Sequence, residues 1–204
     1  DPKEVDCVIL SHAHMDHCGD LPVLVKQGFK GPIYCTHATR DLANFMLLDS
    51  AFIQEREVEW LAKHKKLSEG QTPEPLYTME EAEETLKLFH AVSYEQSFIV
   101  QEGMVASFYD AGHILGSALT HIIFYDKETK KHLKFCFTGD LGRRGLPLLR
   151  DPQPIPEAEI LVSECTYGNK LHASLQTVED DLATVVNEVC QKGGKLIIPA
   201  FALE

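Results

Sequence analysis

The order of apolar and polar positions divides the chain into strand-like and helix-like stretches. Residues 5–10 form an apolar, β-branched run of the length of a buried strand. A histidine-rich turn follows at once. Gly19-Asp20-Leu21-Pro22 then opens a helix over residues 22–27, with proline near its first turn and Gly28 as its stop. Gly31-Pro32 punctuates, and residues 33–36 read as another short strand. From residue 38 to about residue 66, Leu42, Phe45, Met46, Asp49, Phe52, Ile53, Val58, Trp60 and Leu61 recur with helical period, which predicts one long helix or two. Residues 67–77 are rich in loop formers. Residues 79–90 predict a further helix with Ala82, Leu86 and Phe89 on one side.

The second half begins with strands. Residues 98–100, 104–110, 119–125 and 133–137 carry strand patterns, separated by Glu102-Gly103 and by a polar hairpin tip over residues 126–131. A proline-rich crossing follows at residues 147–156, then a strand at 159–163. Thr177 and Asp180 can cap a helix whose apolar stripe is Val178, Leu182, Val185, Val186 and Val189. Gly193-Gly194 ends it before a last strand at 195–199. Strands that first meander and then alternate with helices predict an α/β (α+β) fold, with sheets covered by helices on the outside.

Composition narrows the class. No apolar stretch is long enough to span a bilayer and the N-terminus carries no signal-peptide pattern, so the expected compartment is the cytoplasm, with no membrane partner. The six cysteines are scattered singly with no Cys-x-x-Cys pair, and read as reduced thiols. A net charge of −12 argues against a broad basic surface gripping nucleic acid through many phosphates. Bound divalent metals would reverse the sign locally. Both ends read as cut from a longer protein.

The chemistry concentrates in Ser11-His12-Ala13-His14-Met15-Asp16-His17, directly after a predicted strand. A strand would point His12 and His14 to one face, while Asp16 and His17 need a turn to converge. Two such pairs can feed two adjacent ions. Imidazole is the commonest transition-metal ligand and carboxylate a hard, bridging donor, so a set without thiolates fits a catalytic rather than a structural site. His113, in Asp110-Ala111-Gly112-His113-Ile114-Leu115-Gly116-Ser117-Ala118, and Asp140, in Phe137-Thr138-Gly139-Asp140-Leu141-Gly142, also follow predicted strands. Three sets of donors at strand ends make convergence on one site the better explanation.

The ordered set His12-x-His14-x-Asp16-His17, His113 and Asp140 resembles the metallo-β-lactamase superfamily, whose fold is a four-layer αβ/βα sandwich. By that resemblance residues 1–204 are one such domain, incomplete at both ends. His12, His14 and His113 would hold one metal, Asp16 and His17 the other, and Asp140 would bridge. Zinc is the implied metal, two ions in the intact enzyme, with manganese or iron also compatible with the donors. A hydroxide held between the two ions would attack, with Asp16 orienting the water.

Superfamily membership leaves many substrates open. Ser163-Glu164-Cys165-Thr166-Tyr167-Gly168 resembles the acidic motif of the β-CASP ribonucleases, in which a carboxylate at a strand end supports the metal-site histidines. Glu164 would take that catalytic role beside Asp16. Ile198-Pro199-Ala200-Phe201-Ala202-Leu203 is similar to the strand where that family inserts its cap domain, which would follow residue 204. The resemblance implies a ribonuclease cleaving phosphodiester bonds of single-stranded RNA, with RNA and the chain's own cap domain as partners; the oligomeric state is left open, a homodimer being one alternative. Without the cap, whose further histidines are outside this stretch, the chain would cut RNA poorly or not at all. Arg143, Arg144 and Lys170 are candidates for phosphate contacts and Tyr167 for base stacking, with ordinary surface charge and packing as the competing readings. A thioester or lactam hydrolase of the same superfamily is the rival enzyme. A non-catalytic partner in an RNA-processing complex is the third reading.

Overall fold

A computed structural model describes residues 1–64, 73–172 and 177–203. Its contacts divide the chain into two units, residues 1–164 and 165–204. The first holds β1 (Val8–Ile9), α1 (Met15–Cys18), α2 (Leu21–Lys26), β2 (Ile33–Thr36), α3 (His37–His64), α4 (Met79–Leu86), β3 (Phe89–Val92), β4 (Ser97–Gln101), β5 (Met104–Asp110), β6 (Ala118–Asp126), β7 (Lys131–Phe137) and β8 (Ile160–Val162). The second holds α5 (Val178–Gln191).

Two sheets build the first unit. β1, β2 and β3 pair in parallel, in that order. β4 to β7 form an antiparallel meander, and β8 adds to β7 in parallel. The faces meet in a cluster that joins Ile9, Tyr34 and Val92 of the first sheet to Phe98, Phe108 and Ala118 of the second. Side chains alternate along a strand, so Ile33 and Cys35, neighbours of Tyr34, point the other way and are fully buried on the side where α3 packs. Helices, sheet and sheet account for three of the four expected layers within residues 1–164.

Several boundaries differ from the sequence reading, each for a physical reason. β1 is only two residues long, although Val8 and Leu10 extend its bonding to Pro32 and Tyr34. Ahead of it, Pro2 begins a 3₁₀ turn that leaves Val5 exposed. The helix expected over residues 79–90 stops at Leu86, and Phe89 instead opens β3. Leu86 and Phe89 have helical spacing, but Phe89 and Val92 are also the buried ends of a strand held by a parallel ladder to β2. α4 starts sharply, because Thr78 and Glu81 cap each other's backbone in a reciprocal box. The loop expected at residues 67–77 lies partly outside the described residues.

α3 is one continuous helix, but the face it buries is not the one its large apolar residues define. Thr39, Ala43, Leu47 and Ala51 form the buried ridge, one every four residues. Small side chains at Ala43 and Ala51 let the backbone approach its neighbours, whereas Phe45, Phe52, Ile53 and Trp60 stand exposed. In the second unit, Thr177 stands at the N-cap of α5, and Gly193 at φ 62° closes its end with bonds back to Cys190 and, through Gly194, to Val189. The expected stripe residues Val178, Leu182, Val185 and Val186 are exposed. Residues 195–199 are not a strand. An apolar run becomes a strand by laddering to a neighbour, and no ladder among the described residues includes this segment.

Candidate metal centre

Three chain segments bring donors to one place. β1 ends at Ile9, and the chain runs through Ser11 to His14 before turning into the short helix α1, so His12 and His14 precede the turn and Asp16 and His17 lie on it. His113 follows β5, and Asp140 follows β7. The donor atoms of His12, His14, His113 and Asp140 all lie within 4.8 Å of one another. His14 Nδ1 is 3.1 Å from both His12 Nε2 and His113 Nε2. A tetrahedral ion with bonds of about 2.0–2.1 Å places its donors about 3.3 Å apart, so this spacing fits one cation among the rings.

Asp16 and His17 stand beside this group. His17 Nε2 is 3.3 Å from Asp140 Oδ1 and 3.5 Å from Asp16 Oδ2. The other oxygen of Asp140, Oδ2, faces His113 Nε2 at 3.6 Å and His12 Nε2 at 3.8 Å. Asp140 thus turns one oxygen to each cluster, the placement a bridging carboxylate requires. Asp16 is the most open member, its side chain 78% exposed.

The electrostatics favour neutral imidazoles. His12 is wholly buried, and desolvation, reinforced by His17, His113 and His14, lowers its pKa to about 3. Burial, with help from His14, also lowers His113, against the opposing pull of Asp140 and Glu164. A neutral ring keeps a lone pair for a cation. Ser11 Oγ lies 3.0 Å from His12 Nδ1; with Nε2 turned to a cation, Nδ1 would carry the proton and donate to that hydroxyl.

The surrounding chain fixes the donors through contacts that the sequence reading left without a role. Ser117 Oγ accepts from the backbone nitrogens of His113 and Ile114. Thr36 and Thr39 both donate hydroxyls to the Gly116 carbonyl, and Tyr94 donates to that of Ser117. Ser11 also presses on the Asp140 loop: a Cβ on Gly139, which sits at φ 55°, would come within 2.7 Å of Ser11 Cβ. Gly142 donates to Ala111 O so closely that a Cβ there would lie 1.6 Å from Gly112 O. The Cys18 thiol donates to Ala13 O between the two histidines, and burial pushes its pKa up to about 12, so it is a packing group. All six cysteines are free.

Glu164 lies at the end of β8 and accepts from the backbone nitrogen of Leu141 at 3.1 Å, while its own nitrogen donates to Thr138 Oγ1 at 3.3 Å. It brackets the Asp140 turn on both sides. Arg143 is half-buried and Arg144 exposed on the loop that follows. In the second unit, Lys170 is exposed, and Tyr167, 57% exposed, packs its ring 5.0 Å from that of His172. Among the described residues no helix is long and apolar enough to cross a membrane.

The sequence profile described as the metallo-beta-lactamase superfamily matches residues 1–184. The chain is 32% identical over 204 residues to Ribonuclease TTHA0252 of Thermus thermophilus, with 100% of the chain aligned to 42% of that protein. It is 35% identical over 205 residues to Transcription termination factor FttA of Methanosarcina mazei, aligning 98% of the chain to 29% of that protein. Against Cleavage and polyadenylation specificity factor 73 of Drosophila melanogaster it is 31% identical over 202 residues, covering 98% of the chain and 26% of that protein. The chain therefore spans less than half the length of these relatives.

Proposed function

Because the chain belongs to the metallo-beta-lactamase superfamily, we propose that it carries the metal centre of a ribonuclease that hydrolyses phosphodiester bonds of single-stranded RNA. The carrying observation is Asp140, whose two oxygens face His12 and His113 on one side and His17 on the other. His12, His14 and His113 would hold one ion and Asp16 with His17 the second, with Asp140 between. Zinc suits the nitrogen-rich set, and manganese or iron would also be accepted by it.

A bound pair of divalent ions supplies Lewis acidity and an acidified water next to a phosphate. The chain's own residues do the positioning. His12 and His113 are held neutral by burial and so keep their lone pairs turned inward. Asp16 is open to solvent beside His17, where it can accept a hydrogen bond from an attacking water and orient it. Glu164 acts one step back, holding the Leu141 nitrogen and with it the Asp140 turn. Arg143 and Arg144 follow that turn, where a phosphate oxygen would be met.

RNA as the substrate is supported by similarity to a protein named a ribonuclease and to another named a cleavage and polyadenylation specificity factor. It is also supported by the resemblance of Glu164-Cys165-Thr166-Tyr167-Gly168 to the β-CASP acidic motif. A net charge of −12 is compatible with RNA binding if the metals and a second domain supply the positive wall. The test is an assay of the intact protein with labelled single-stranded RNA and with a thioester. We expect RNA cleavage that chelators abolish and that His14→Ala removes together with metal binding. Thioester turnover without RNA cleavage would replace this reading by that of a small-molecule hydrolase. An intact, folded protein that binds no metal would replace it by that of a non-catalytic partner.

A further inference from the structure

α3 exposes a second apolar stripe on the side away from its buried ridge. At 100° per residue, Phe45, Asp49, Phe52, Ile53, Arg56 and Trp60 fall within an arc of about 100°. Phe45 is 71% exposed, Phe52 and Ile53 50% each, and Trp60 55%. Together they leave roughly 400–500 Å² of apolar side chain uncovered. The largest apolar patch on a folded monomer is about 300–600 Å² and is often functional, so the size alone does not identify the occupant.

We propose that this face docks against the same face of a second copy, with the two α3 helices antiparallel about a two-fold axis between Phe52 and Ile53. The proposal is independent of the ribonuclease reading. It rests on a spacing that is the same from either end: aromatic, charge, apolar, then apolar, charge, aromatic. Antiparallel pairing sets Phe45 against the partner's Trp60 and Phe52 against the partner's Ile53. It also sets Asp49 against the partner's Arg56, and the two-fold axis repeats each contact. Parallel pairing in register would instead bring each charge beside its own copy.

Two further features fit that occupant. A recess of about 440 Å³ beside Phe45 is lined by Arg40, Asp41, Asn44, Phe45 and Leu86. In the antiparallel arrangement it lies opposite the partner's Trp60 and His64, whose rings in this chain are already stacked at 4.9 Å and 19°. A rigid aromatic block entering a recess is the usual form of an interface anchor, and Asp41 would face the partner's His64. At the centre, Arg56 is held over the Phe52 ring at 5.3 Å and near Glu59 at 3.1 Å, so its charge is already placed in the stripe. The two stripes would bury roughly 900 Å² together. With the rim of the helices added, this approaches the lower end of specific interfaces, about 1,200 Å². A dimer that dissociates on dilution is therefore expected.

The test is sedimentation of the intact protein across a dilution series. The wild type should pass from dimer to monomer. Phe52→Glu, Asp49→Arg and Arg56→Asp should each raise the dissociation constant tenfold or more, while unchanged circular dichroism shows the fold is kept. Combining Asp49→Arg with Arg56→Asp should restore the dimer to within about threefold of wild type, because the reversed charges meet again across the axis. A wild type that is monomeric throughout, a dimer indifferent to Phe52→Glu, or a double reversal that fails to recover would each overturn the proposal.

Discussion

Ser11 and His12 are both buried, with the Ser11 hydroxyl 3.0 Å from His12 Nδ1. The same serine packs against Gly139, one residue before Asp140, and its carbonyl accepts from Ala118, one residue after Ser117. One small residue thus touches all three segments that carry donors. With Nε2 turned to a cation, Nδ1 would carry the His12 proton, and this hydroxyl is the partner placed to receive it.

Ser11→Ala should therefore weaken metal binding about 10–100-fold with the fold intact, the usual cost of losing such a partner. Competitive titration against a chelator, with circular dichroism as the control, measures it. Unchanged affinity in the alanine variant would show that packing alone orients His12.

His17 and Asp140 can be used to test whether the centre holds one ion or two. His17 meets Asp140 Oδ1 but is not among the four donors that lie within 4.8 Å of one another. His17→Ala should leave one tightly bound ion and lose the other, whereas Asp140→Ala should weaken both. Elemental analysis after dialysis against a mild chelator gives the stoichiometry. Two ions retained by the His17→Ala protein would exclude it as a ligand.

Burial of His12 also makes the metal-free fold sensitive to acid. The unfolded chain takes up a proton on this ring as the pH falls through its ordinary value of 6.5, while the folded ring resists until about 3. The unfolded state binds more protons in that window, so stability is full above about 6.5 and falls by about 1.4 kcal/mol per pH unit below it. Denaturant melts of chelator-stripped protein between about pH 7 and pH 5 test this in the range above ordinary carboxylate titration. His12→Gln should flatten part of the slope, and a wild-type profile already flat there would contradict the burial argument.

The candidate donors were legible in the sequence because metal chemistry restricts residue type and spacing, and because a strand end gives each of them a fixed direction. His12, His14, His113 and Asp140 could be read that way. The supports were not. Ser11, Ser117 and Gly142 matter through neighbours from other segments, and serine or glycine in a loop carries no signal of that by itself. Periodicity likewise shows that α3 has stripes without showing which one is buried. The decision rests on Ala43 and Ala51, whose small size allows close packing and whose contribution to an apolar count is slight. β3 was absorbed into α4 for a related reason, since Phe89 satisfies a helix repeat and a strand alternation equally until β2 is beside it.

Glu164 provides the sharpest test of what its motif does. Its carboxylate accepts from the Leu141 nitrogen and its backbone nitrogen donates to Thr138, so the residue clamps the turn that presents Asp140. Charge has a second role, since Glu164 raises the pKa of His113 against the effect of burial. The two roles separate by substitution. Glu164→Gln keeps an oxygen acceptor for Leu141 but removes the charge, and Glu164→Ala removes both. If the clamp dominates, the glutamine variant should bind metal within a fewfold of wild type and the alanine variant should lose about 10–100-fold, as expected when the partner that orients a ligand is deleted. Isothermal titration of the two variants decides between them. Equal losses in both would transfer the role from positioning Asp140 to the electrostatics of the histidines.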